Sequence, residues 1–162
     1  MLFLRYVYVL ALVVWLGGLV VAGGVAAPSI FAVLEGWNAA EGRVLAGQVF
    51  GEVLNRLHPV AYVCGGVMVA ALTLHRLLGS RPVKYGIRVS LIGAMLAFAL
   101  VSGQVISPRV AAIQREVSGP IAALPEGDAR RTEFYRWHGY SNLLLSGVAM
   151  GGLILLYWEA RE

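Results

Sequence analysis

Two histidines recur at equal spacing behind an arginine. Arg56 and His58 in "NRLHPV" and Arg136 and His138 in "YRWHGY" stand 80 residues apart. Imidazole is the commonest protein ligand for copper, zinc and haem iron, and a symmetry-related pair could hold haem b axially or clamp one copper-like ion. Helical spacing places Tyr62 one turn beyond His58, and Ser141 and Asn142 one turn beyond His138, which adds hydroxyl and amide groups to the same faces. Arg56, Arg136 and Arg109 bring guanidinium groups suited to a carboxylate, a haem propionate or a lipid phosphate. The same arginines could instead snorkel, or pair with Glu52, Glu133 or Glu116. The histidines, standing at segment ends, could equally be interfacial anchors. Two ligands do not make a closed zinc site, which needs four, so zinc is the least expected metal.

The elements that must position these groups lie in a membrane. The chain has 162 residues, 59% hydrophobic and only 14% charged, with a mean hydropathy of +0.73. Uncharged apolar runs cover residues 6–27, 57–74, 89–107 and 139–158, each near the roughly 20 residues a helix needs to cross a hydrocarbon core about 30 Å thick. Continuous apolarity without alternation means helices rather than barrel strands. The expected fold is an all-α integral membrane protein, a single domain over residues 1–162 built as a four-transmembrane-helix bundle.

Charge sets an expected orientation. The connection from His75 to Arg88 carries Arg76, Arg81, Lys84 and Arg88 and no acid, which by the positive-inside tendency puts it, and both termini, in the cytoplasm. The net charge of +4 then reports topology and anionic lipid, and no nucleic-acid partner is implied. Arg5, the apolar stretch after it and "GVAAPS" imitate a signal peptide, but the run is longer than an ordinary signal core, and cleavage is not expected.

Laying the second half on the first at an offset of 80 aligns Gly23 with Gly103, Pro28 with Pro108, Arg56 with Arg136 and His58 with His138. Two tandem two-helix repeats follow, about 4–78 and about 84–158, related by an axis along the membrane normal. Pro28 and Pro108 are expected to end or kink their helices. Each long outer connection carries an amphipathic helix, expected to lie in the interface on the non-cytoplasmic side. "RVLAGQVFGEVLNRL" and "PRVAAIQREV" show the apolar spacing, and Asp128 is an expected N-cap.

With "WLGGLVVAGGVAAPSIF", "SPRVAAIQREV" and "FYRWHGYSNLL" the chain resembles the transmembrane protein 205-like family, whose bacterial members carry a domain of unknown function. The most specific residues are Pro108 and Arg109, and Arg136, His138, Gly139 and Ser141. The resemblance implies a four-helix integral membrane protein, here of the bacterial inner membrane, and the family's eukaryotic representative, linked to platinum-drug resistance, points to metal or vesicle handling. "VVWLGG" is also similar to first helices of copper-resistance and haem-pathway membrane proteins, without their preceding histidine.

The remaining candidates read as scaffold. Gln104 and Ser102 lie within the third apolar run, and Gln104 is expected to cross-link helices or line a polar cavity. Cys64 and Met68 at helical spacing could offer sulfur to Cu(I), but core packing is the expected role. Gly147 and Gly151 read as helix contacts. No nucleophile and base, paired carboxylates or phosphate loop appears, so an independent hydrolase or ATPase is not expected. Beside ligand binding at the outer mouth stand two alternatives: an accessory module packing against lipid, a larger membrane complex or a second copy, and a small transporter.

Overall fold

The structure, a computed structural model, describes residues 2–79, 84–117 and 119–161. Arg81, counted above in the basic connection, lies outside the described residues. Among the described residues six α-helices are present: α1 (Leu2–Val21), α2 (Ala27–Trp37), α3 (Ala39–Leu78), α4 (Tyr85–Val101), α5 (Ser107–Glu116) and α6 (Ala129–Glu159). No strand occurs among the described residues. Among the described residues four continuous helical stretches are long and apolar enough to cross a membrane: Leu2–Trp37, Ala39–Leu78, Tyr85–Glu116 and Ala129–Glu159. Helix α1 packs against α3 and α6, and α4 packs against the same two, so the four stretches close into a ring.

The spans are longer than their apolar runs. They hold 36, 40, 32 and 31 residues, about 45–60 Å at 1.5 Å per residue against a core of about 30 Å. The excess lies at the end carrying Asn38, called here the hairpin end; the opposite one is the basic end. The segment 43–57, expected as a separate interfacial helix, is the first half of α3 and packs against α2. There it runs along a neighbouring helix, with Ala46 fully buried.

Pro28 and Pro108 do not end their helices. A π turn, Ala22–Ala26 or Ser102–Ile106, precedes each proline, and the helix resumes as α2 or α5 with the proline in its first turn. The turns close with the Ala27 N–H on the Ala22 carbonyl and the Ser107 N–H on the Ser102 carbonyl. A proline has no N–H to give and its ring crowds the carbonyl four residues back; the wider turn ahead of it accommodates both effects. The two π turns are offset by 80 residues.

In lipid, helices associate through close packing and polar contacts more than through water exclusion. Leu12, Met68, Ile92 and Leu155 fill the bundle axis with 0% exposure. Small residues bring the helices together: Gly147 and Gly151 of α6 face Phe98 and Met95 of α4, and Gly65 of α3 faces Leu96. Cys64 and Met68 belong to this core.

One ionic cluster ties the basic end. The Glu159 carboxylate accepts from Arg5 Nε and, at 3.0 Å, from Arg88 Nη1, while Arg5 Nη2 donates to the Glu159 carbonyl at 3.0 Å. The charge pattern alone places Arg88 in a connection. It lies in the first turn of α4 with 2% of its side chain exposed, because a carboxylate 71 residues away neutralises it.

At the hairpin end Asp128 caps α6, accepting from the Arg130 backbone N–H at 2.8 Å and from its guanidinium. The Arg130 side-chain hydrogen bond, then its backbone N–H, hold the Asp128 carboxyl down at about 2, below the usual carboxylate range near 3.9. A depressed value makes this cap fully present above pH about 4 and lost as pH falls through about 2. Carboxyl carbon NMR should give an Asp128 midpoint near 2, moving up toward the usual range in Arg130→Gln. A midpoint unaffected by that substitution would contradict the assignment.

Candidate functional site

The hairpin-side half of the bundle contains a buried polar turn where α3 passes the π turn Ser102–Ile106. His58 precedes Pro59 inside α3 and is 7% exposed. The Leu54 carbonyl one helical turn back faces the ring, but neither Nδ1 nor Nε2 completes a hydrogen bond of ordinary geometry. Tyr62, one turn further, stacks on the imidazole with centroids 6.3 Å apart and donates its hydroxyl to the Ala99 carbonyl at 3.3 Å. That carbonyl also receives the Ser102 N–H.

Gly103 lets these rings sit against the π turn. A Cβ there would reach 2.9 Å from His58 Cγ and would strike the Tyr62 hydroxyl. Beside it Ser102 is 1% exposed, and its Oγ has no hydrogen-bond partner. Buried polar atoms almost always find partners, since leaving one unsatisfied costs about 1–3 kcal/mol. Three such atoms, two on His58 and one on Ser102, gather at this π turn, a conformation frequent at functional sites.

The other residues singled out lie elsewhere. His138 is exposed on α6, parallel to the Phe134 ring at 5.8 Å, and Asn142 is exposed one turn on. Gly23, the counterpart of Gly103, has nothing within 4 Å where a side chain would project, so the enclosure around His58 is absent at Gly23. Arg56 pairs with Glu52 at 2.8 Å on the surface, a contact worth little. Arg109 and Arg136 are exposed on α5 and α6. Glu133 accepts from Trp137 Nε1 at 3.1 Å. Gln104, expected to face the interior, is exposed, and Ser102 is the buried polar residue. Among the described residues no three of His, Cys, Asp and Glu cluster to hold a metal ion.

Sequence reasoning placed Ser102 in the third crossing without joining it to His58, and it missed Arg5 and Glu159 at the basic end. Glu159 carried a signal: it is the first acid after the apolar run of α6, and an acid joined to a membrane segment requires a partner.

Four apolar spans in a ring, with a polar turn buried inside, define an all-helical integral membrane protein. The chain belongs to the family of the domain of unknown function DUF4149, which it matches over residues 10–118. No curated protein and no solved structure matches it.

Proposed function

We propose that the protein is a membrane-embedded binding module centred on the turn of His58, Tyr62, Ser102 and Gly103, with haem b or a copper-like ion as its ligand. The observation that carries this reading is a buried histidine, 7% exposed, neither of whose ring nitrogens completes a hydrogen bond of ordinary geometry. A neutral imidazole nitrogen in that state has a lone pair to give to iron or copper, and a bound group of this kind would supply electron-transfer or ligand-exchange chemistry. His58, with Tyr62 beside it, is the inner donor; His138, with Asn142 beside it, stands apart from this turn on the exposed face of α6 and is the second donor for a ligand large enough to reach that face. Arg56, Arg109 and Arg136 lie on the outer surface, suited to carboxylate or propionate groups. Two imidazoles suit axial haem ligation or low-coordinate copper better than four-coordinate zinc.

The absorption spectrum and metal content of protein purified in detergent, after haem or copper supplementation, test this reading. A Soret band or stoichiometric copper is expected, abolished by His58→Ala and weakened by His138→Ala, with helicity by circular dichroism unchanged. A colourless, metal-free preparation sinks it.

A second reading draws on the outer face of α6, where His138, Asn142 and Ser146 are exposed beside Tyr135 and Tyr140. Polar groups facing lipid are costly and usually find partners, which favours an accessory module bound to a larger complex or a second copy. The double change His58→Ala, His138→Ala would then leave association intact. The filled bundle axis gives axial transport the least support. We further read the chain as two tandem repeats, supported by the π turns 80 residues apart, and as a relative of the transmembrane protein 205-like family through Arg136, His138, Gly139 and Ser141. The basic end faces the cytoplasm of a bacterial inner membrane in this reading, on its excess of arginine and lysine.

A further inference from the structure

The ionic cluster at the basic end does more than join helices. Beside it lies a cavity of about 20 Å³ whose polar lining is Arg5, Tyr8, His75, Arg88 and Glu159. That volume admits a single oxygen-sized group. The lining is rich in donors, with two guanidinium groups, an imidazole and a phenol, and its one carboxylate already accepts from both arginines. An oxygen carrying negative charge and no proton suits this lining better than a neutral group.

The rim points to where that oxygen comes from. The Lys84 ammonium lies 5.0 Å over the Trp158 ring, the Arg76 guanidinium 4.5 Å over Tyr85, and the Arg161 guanidinium 5.2 Å over Tyr157. Aromatic rings carrying cations at a helix end occupy headgroup depth, where their amphipathic bodies are most stable. Among the described residues of this end Arg5, Arg76, Lys84, Arg88 and Arg161 stand against the single acid Glu159. The Arg5 side chain is 42% exposed, so the cavity is reachable from the membrane surface.

We propose that this end binds the phosphate of an anionic phospholipid, one non-ester oxygen entering the cavity toward Arg5, His75 and Arg88 while the rim cations face the rest of the headgroup. The site is independent of the His58 turn, at the opposite end of the bundle. Rim and cavity cations act together, each basic residue at a membrane surface being worth about a fivefold change in lipid partition.

Native mass spectrometry of the full chain released from mixed phosphatidylcholine and phosphatidylglycerol vesicles reads the preference directly. Wild type is expected to retain phosphatidylglycerol over phosphatidylcholine. Arg5→Gln and, separately, His75→Gln should each reduce that preference about fivefold; both leave the Arg88 to Glu159 pair in place, and Lys84→Gln on the rim provides a third variant outside the cluster. Equal retention of the two lipids by wild type, or a preference unchanged in all three variants, overturns the proposal. Displacement of phosphatidylglycerol by inorganic phosphate would overturn the lipid assignment, because it would make free phosphate the ligand; retention in its presence supports it.

Discussion

Glu159→Ala is expected to destabilise the protein by about 3–5 kcal/mol, since it removes the carboxylate from a buried ion pair and leaves the Arg88 charge in place. The side chains of Arg88 and Glu159 are 2% and 7% exposed, so the guanidinium would lose its charge partner in a largely desolvated place. The cluster joins α1, α4 and α6, and all three helix ends should loosen together. Replacing both charges, Arg88→Met with Glu159→Leu, should recover most of the loss, because an apolar pair of similar volume needs no neutralisation. Denaturant unfolding in detergent micelles, followed by circular dichroism, measures both. A Glu159→Ala protein within about 1 kcal/mol of wild type would show that the pair is not a main tie at this end.

The second large effect belongs to the opposite end. Helices α2 and α3 are joined through Asn38 alone, whose side-chain oxygen accepts the Ala40 and Glu41 N–H groups at 3.0 and 3.1 Å. The turn is tight enough that a Cβ at Gly42 would collide with the Leu34 carbonyl oxygen. Backbone cannot rotate away as a side chain does, so Gly42→Ala is expected to cost about 1–3 kcal/mol or more and to open the turn. The Asn38 cap and the Glu35 to Arg43 ion pair at 2.7 Å should weaken with it. Gly36→Ala is the control, with nothing within 4 Å of its Cβ and a helix propensity gain of about 1 kcal/mol. Hydrogen exchange across residues 34–42 should rise sharply in the first variant and fall or stay level in the second. Equal protection in the two would refute the collision.

The four spans were readable because length and apolarity alone decide them. What was not readable depended on partners distant in sequence. Residues 43–57 have the same apolar spacing whether they lie on a membrane or against α2, and only the helix beside them distinguishes the two. Arg88 looks like a loop cation until Glu159 is brought beside it. Pro28 and Pro108 are helix breakers by local chemistry, yet each helix runs on to Trp37 or Glu116 because the π turn ahead takes up the missing bond. At the candidate site His58 and Tyr62 were legible from helical spacing within α3, which is regular there. The place of Ser102 beside His58 was not, because polarity alone marks both Ser102 and Gln104 within an apolar run, and which of the two faces inward depends on the π turn that holds them. The apparent equivalence of His58 and His138 concealed a difference in enclosure, which rests on Gly103 at one position and open space around Gly23 at the other.

The two π turns also govern angular phase. Each accommodates one residue more than an α-helix of the same number of turns, so every side chain beyond it is rotated by about 100° relative to an uninterrupted helix. A single continuous rod can therefore offer one face to its neighbours within the bundle and another beyond it: α1 meets α3 and α6, while α2, after the turn, lies along α3. Losing one residue from Ala22–Ala26 or Ser102–Ile106 would leave a sound helix whose distal half is aimed the wrong way. In these two stretches the chain is constrained in residue count as much as in residue identity.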